Sequence, residues 1–141
     1  MHKFNLKKLC KMKVLLIGSS SDIAQKLVLE KKNLFDFIEV SSSTSDFNVQ
    51  DEKTFPVIQE GIDGLVYFPG SINLKPFSNL RLSDFQKDYE VNFLGLIKIL
   101  KHYQKDLNSN ASLVFISRLG QYYMHIDKPS MRTYYLRGHF I

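Results

Sequence analysis

The chain is expected to fold as an α/β domain, a Rossmann-like doubly wound parallel sheet that is incomplete on its C-terminal side. Three observations lead there. Short apolar runs alternate with segments of helical period, which implies a parallel sheet covered by helices on both faces. The first run ends in a glycine followed by small polar residues and a helix. The 141 residues suit one compact domain, with eleven Phe and seven Tyr to fill a core.

The elements are expected in this order. Lys13–Gly18 (KVLLIG) reads as a strand buried on both faces. Ser19–Ser21 make a turn, and Asp22 to about Lys31 a helix with Ile23, Leu27 and Leu29 inward. Phe35–Val40 is the second strand, Ser41–Ser45 a polar turn, and Asp46–Val49 a very short third strand. Asp51–Gly61 is a short helix whose start Pro56 limits. Gly64–Phe68 (GLVYF) is a buried strand stopped by Pro69-Gly70. The longest helix runs from about Asp84 to Leu107, with Ser83 and Gln86 as a capping-box pair. Phe85, Tyr89, Asn92, Leu96, Ile99 and Tyr103 recur every three or four residues along it, which predicts one shared face. Ser112–Ser117 (SLVFIS) closes the series as a fifth strand. The expected strand order is 3-2-1-4-5 with the first strand central, and the fifth strand is expected to form a sheet edge.

Charge excludes one class of partner. The formal net charge is +5, but Lys3, Lys7, Lys8, Lys11 and Lys13 account for it within a leader that has no acid. The remaining basic residues equal the 14 acidic ones, so the body carries no basic excess for nucleic acid. No apolar run is long enough to span a membrane. The leader lacks the apolar core of a secretory signal, and residues 1–12 read as an extension upstream of a start at Met12. Cys10 is the sole cysteine, so neither a disulfide framework nor a cysteine metal site is expected, and a reducing cytoplasm fits.

The informative segment is VLLIGSSSDIA, residues 14–24. Backbone N–H groups at such a turn and helix N-terminus can face a pyrophosphate, helped by the helix dipole. Gly18 has no Cβ to block the approach. An ordinary strand–helix turn produces the same pattern.

This segment resembles the phosphate loop of the short-chain dehydrogenase/reductase family, Gly-x-x-x-Gly-x-Gly. Gly18 matches the first glycine, Ser20 and Ser21 the small turn residues and Ile23 the apolar neighbour, while Asp22 and Ala24 replace the later glycines. Three further landmarks follow in order. Asp46-Phe47 resembles the family's acid–apolar pair, which implies that Asp46 reads the adenine amino group and Phe47 covers the ring. Phe68-Pro69-Gly70 stands at the family's Asn-Ala-Gly, with only Gly70 matching. Asn92 matches the mid-helix Asn whose distorted main chain holds a water of the proton relay. The resemblance covers about residues 12–117. Taken without it, Asp46 is equally a turn residue and Asn92 a satisfied core amide.

The resemblance implies hydride transfer between a nicotinamide cofactor and a carbonyl or alcohol substrate, with catalytic roles for Asn92 and Ser117. It also implies a Tyr acid/base with a Lys four residues on. Here Ile126, Asp127, Gly138 and His139 follow Tyr122, Tyr123, Tyr134 and Tyr135 at that spacing. Arg118 stands where the family's catalytic Ser is usual, and Ser117 is one place early. Residues 118–141 show no clear period and read as a divergent or frameshifted tail, so the chain is expected to be truncated after the fifth strand, inactive and prone to self-association. The second strand ends in Ser41–Ser43 without a carboxylate at the ribose-reading position, which favours NADP over NAD. A non-catalytic nucleotide-binding module of the same fold, and a flavodoxin-like interaction domain, are the competing readings.

Overall fold

The computed structural model describes residues 11–59, 61–71 and 76–116, with the backbone of 133–135. Strand β1 (Met12–Ile17) leads through Gly18–Ser21 into helix α1 (Asp22–Lys31), and the chain returns as β2 (Phe35–Val40). After a connection that includes one short 3-10 turn comes β3 (Ile62–Tyr67). Helices α2 (Leu82–Tyr89) and α3 (Gly95–Tyr103) follow, joined by a π-helical turn at Glu90–Leu94. Then come β4 (Leu107–Phe115) and β5 (Thr133–Tyr135).

All five strands are parallel, in the order β2-β1-β3-β4-β5. The α/β class is as expected, and so is the place of the first strand between the second strand and β3; with position 3 unfilled, β1 is second from the edge and β3 is the middle strand. β1 pairs with both neighbours, Ile17 opposite Val40 on one side and Tyr67 on the other. That register aligns the strand ends Ile17, Val40 and Tyr67 along one rim. Leu15, Ile17, Leu65, Tyr67 and Leu113 bury one sheet face against Leu96, Ile99 and Tyr103 of α3.

The structure departs from expectation at six places. Asp46–Val49 is not a strand. Thr54 Oγ1 accepts the Asn48 N–H at 2.9 Å, and the Asn48 carbonyl accepts the Asp51 N–H at 2.9 Å. Those bonds use the backbone groups a ladder to β2 would need, so the expected position 3 of the sheet is unfilled. The helix expected at Asp51–Gly61 shrinks to one 3-10 turn, Glu52–Thr54, capped by Asp51. Phe55 is already extended, as a residue preceding proline prefers.

On α1 only Ala24 is fully buried; Ile23 and Leu29 are more than half exposed. The inward stripe is Ala24, Leu27 and Val28, one position round from that expected. The cap of α2 is Arg81, whose N–H Asp84 Oδ2 accepts at 3.0 Å, while Gln86 turns away to Glu90. Finally, β5 pairs with β4 through Leu113, Val114 and Phe115, so the fifth expected strand is not a sheet edge.

The long helix breaks its expected shared face. Leu96, Ile99 and Tyr103 are buried, but Phe85 and Tyr89 are 47% and 53% exposed. A π turn carries an extra residue, which rotates everything before it by about 100° relative to the helix after it. Among the described residues, no helix is long and apolar enough to cross a membrane.

Candidate nucleotide-binding site

The C-terminal rim of the sheet gathers the singular residues. Gly18 follows β1 with φ +80, a left-handed conformation open chiefly to glycine. Its N–H and that of Ser19 both donate to the Val40 carbonyl, at 2.8 and 3.1 Å, tying the turn to the end of β2. Across the turn stands Pro69: a Cβ on Gly18 would lie 3.0 Å from its Cδ. The turn between β1 and α1 and the turn after β3 are therefore packed together at this glycine.

Ser21 caps α1, its Oγ accepting the Ala24 N–H at 3.2 Å. Ser20 is exposed beside it, and Asp22 occupies the first helical turn, also exposed. Ile23 projects an apolar side chain outward next to the same turn. Sequence reasoning missed Gln25, whose Nε2 donates to the Ser19 carbonyl at 2.6 Å and reaches Glu39 at 3.3 Å. The available signal was its place one turn past the cap, facing back over the loop.

Beyond β2 lies a cluster of hydroxyls. Ser41 is buried, and its Oγ lies 3.0 Å from Ser43 Oγ and 2.9 Å from Thr44 Oγ1. Ser45 Oγ donates to the Ser41 carbonyl at 3.0 Å. Asp46 is exposed. Phe47 is not: it is 4% exposed and packs on Phe55 with ring centroids 5.5 Å apart. Its ring serves the core and does not face the rim.

After β3, Phe68 continues the ladder through its N–H to Ile17, and Pro69 and Gly70 open the next segment. Asn92 reaches that segment from the π turn. Its Oδ1 accepts the Ser71 N–H at 2.6 Å, and its Nδ2 donates to the Ser71 carbonyl at 2.7 Å. The side-chain amide thus pairs with Ser71 as a neighbouring strand would. Ser71 Oγ in turn donates to Asp88 Oδ1 at 2.7 Å. Neither Ser71 nor Asp88 was foreseen, because nothing in the local pattern distinguishes them. Ser117 and Arg118 lie outside the described residues, as do Tyr122 and Tyr123; Tyr134 and Tyr135 are described only as strand backbone.

Two tyrosines are neutral structural donors. Tyr67 Oη donates to the Val91 carbonyl at 2.6 Å, and burial pushes its hydroxyl pKa well above the ordinary value. Tyr103 Oη donates to the Pro56 carbonyl at 2.8 Å; burial, then the Asp106 charge, push it up to about 12. Among the described residues, no group of His, Cys, Asp and Glu is placed to hold a metal ion.

No family model matches the chain, and no curated protein is similar to it. Solved structures are. The protein lin1944 from Listeria innocua superposes with a TM-score of 0.63 at 19% identity, over 73% of this chain and 54% of that one. A small-chain dehydrogenase in complex with NADPH gives 0.60 at 16% identity, over 74% of this chain and 50% of that one. A short-chain dehydrogenase/reductase from Serratia marcescens gives 0.60 at 14% identity, over 78% and 61%. The chain has the Rossmann fold of short-chain dehydrogenases/reductases, and it spans little more than half the length of these proteins.

Proposed function

We propose that this chain carries the NADP(H)-binding half of an NAD(P)-dependent oxidoreductase acting on a carbonyl or alcohol. One observation carries the reading. The left-handed Gly18 turn stands at the end of β1, beside the capped N-terminus of α1 and packed on Pro69. That is the rim where open α/β sheets take dinucleotides.

The residues present fit such a cofactor. The turn at Ser20 and the start of α1 offer backbone to a pyrophosphate, and exposed Ile23 offers an apolar contact. Ser42 and Ser43 are exposed beyond β2, Ser43 with its hydroxyl on Ser41, whereas Glu39, the carboxylate nearest the end of β2, is engaged by Gln25. A hydroxyl-lined turn accommodates a 2′-phosphate that a carboxylate would repel, which favours NADP. Asp46 stands exposed beyond the same turn and is the candidate for the adenine amino group. Phe47, buried, leaves the adenine ring to other residues.

The nicotinamide, when bound, supplies the hydride chemistry; the residues of this chain bind and orient it. No Tyr in the sequence has a Lys four residues on, so these 141 residues are expected to bind cofactor without turnover. That favours, as a second reading, a non-catalytic nucleotide-binding module of the same fold. A reducing cytoplasm remains the proposed location. Self-association is proposed through the exposed Leu82, Phe85, Tyr89 and Phe93.

Titration of the purified chain with NADPH and NADH, read by nicotinamide fluorescence, tests the proposal. Saturable NADPH binding tighter than NADH binding is expected. Tighter NADH binding overturns the NADP preference, and failure of both to bind overturns the cofactor reading. Turnover across a panel of aldehydes, ketones and alcohols, lost in one of the four tail Tyr→Phe variants, would instead assign the acid to the tail.

A further inference from the structure

The π turn has a specific internal cause. In an unbroken α-helix the Gly95 N–H would bond the Val91 carbonyl, four residues back. Here it bonds Glu90, five back. The Val91 carbonyl accepts the Tyr67 hydroxyl instead, at 2.6 Å. Tyr67 reaches it from the end of β3 and is 2% exposed. The approach depends on Gly95: a Cβ there would lie 2.8 Å from Tyr67 Oη. The consequence is local. Asn92 sits next to Val91 inside the extra turn and grips both backbone groups of Ser71.

We infer that Tyr67 is a positioning residue: its hydroxyl, admitted by Gly95, holds the π turn and thereby fixes Asn92 on Ser71. Tyr67 touches neither Asn92 nor Ser71 by any bond described above; it acts through the Val91 carbonyl. Without the hydroxyl that buried carbonyl loses its partner. The Gly95 N–H is the nearest replacement, and taking it converts the segment to α-helix. Loss of the extra residue rotates the segment by about 100°, which carries Asn92 off Ser71. The segment after Gly70 then loses its anchor at the rim. The link from that anchor to cofactor binding rests on the function proposed above; the link from Tyr67 to Asn92 does not.

The test separates the two. Hydrogen exchange of the Ser71 amide, followed by NMR on the full chain without ligand, reads the Asn92 grip directly. Tyr67→Phe keeps the ring and removes only the hydroxyl. Ser71 exchange is expected to speed about tenfold while the amides of Leu15 and Leu65 in the central strands keep their rates. Gly95→Ala displaces the same hydroxyl and reproduces the change at Ser71. A methyl on Gly95 also meets Val49 Cβ and Cγ2 at 3.1 Å, so Tyr67→Phe, which adds no atom, is the deciding variant. An unchanged Ser71 rate in Tyr67→Phe overturns the inference, as does a rise in step with Leu15 and Leu65, which would be a merely structural loss. A second arm compares dissociation constants for NADPH and adenosine 2′,5′-bisphosphate. Tyr67→Phe is expected to weaken NADPH alone, because the smaller ligand does not extend to the Ser71 segment. If the parent binds neither ligand, the cofactor reading fails while the exchange rates still decide the role of Tyr67.

Discussion

Gly18→Ala perturbs the site where two turns meet, and its magnitude can be worked from the structure. At φ +80 the backbone disfavours any residue with a Cβ by about 1–2 kcal/mol. The new methyl would also lie 3.0 Å from Pro69 Cδ, 3.1 Å from Cγ and 3.2 Å from its N. A proline ring cannot swing aside, so the turn must shift, at about 1–3 kcal/mol for overpacking of this kind. Restricting the unfolded chain returns about 0.4–1 kcal/mol. The net expectation is a destabilisation of about 3 kcal/mol. For a domain of this size that lowers the midpoint of thermal unfolding by roughly 10 °C, or that of urea unfolding by about 1 M.

The assay is urea unfolding of four proteins: parent, Gly18→Ala, Pro69→Ala and the double variant. Pro69→Ala removes the ring that the methyl meets but leaves the backbone conformation as it was. The cycle should therefore show a favourable coupling of about 1 kcal/mol between the two sites. A Gly18→Ala protein within about 0.5 kcal/mol of the parent would refute the reasoning, since neither strain nor contact would then be real. Strict additivity would refute the contact alone.

Other outcomes follow from the same coordinates. Asp22→Asn removes a carboxylate at the helix end proposed to face a pyrophosphate, and should tighten NADPH binding about threefold while slightly weakening α1, measured by fluorescence titration. Phe47→Ala should destabilise the fold by about 3 kcal/mol, as loss of a buried ring does, and denaturant unfolding decides between that and the near-neutral result a cleft residue would give. Raising pH should destabilise the protein from about pH 10, the ordinary tyrosine value. Tyr103 is pushed up to about 12 in the folded chain and Tyr67 is raised as well, so over that window the unfolded chain holds fewer protons and gains relative stability; Tyr103→Phe should make the profile shallower without abolishing it, as read by unfolding at stepped pH. Leu82→Glu with Phe85→Glu should reduce self-association in sedimentation experiments, because both side chains are exposed.

The sheet was legible because its signals are local. An apolar run such as KVLLIG has few uses other than a buried strand, and Gly18 marks its end. The long helix was legible as a helix but not in its end or its face: it stops at Tyr103, and Leu107 opens β4. Phe85, Tyr89, Asn92, Leu96 and Ile99 keep a helical period on paper whether or not an extra residue intervenes, since periodicity counts positions and not hydrogen bonds. The π turn depends on a hydroxyl from β3, twenty-four residues before Val91, and no window along α2 and α3 contains it. One hint was available: a tyrosine inside a fully buried run must find a partner for its hydroxyl.

The site was half legible for a related reason. Gly18, Ser20, Ser21, Ile23 and Gly70 belong to turns whose geometry the residues themselves dictate, and they stand on the rim as expected. Asp46 and Phe47 were assigned roles that assume a third strand beside β2, and that strand does not form. The Asn48 N–H is taken by Thr54 Oγ1 and the Asn48 carbonyl by the Asp51 N–H, while the apolar Phe47 and Val49 turn into the core with Phe55. Phe47 and Val49 would share one face of a strand as well, so it is the hydrogen bonds at Asn48, not the burial of both side chains, that mark the departure. The adenosine end of the proposed site therefore consists of hydroxyls, loop backbone and the exposed Asp46 without Phe47, and residue-by-residue transfer along the chain holds only as far as the strands that position those residues.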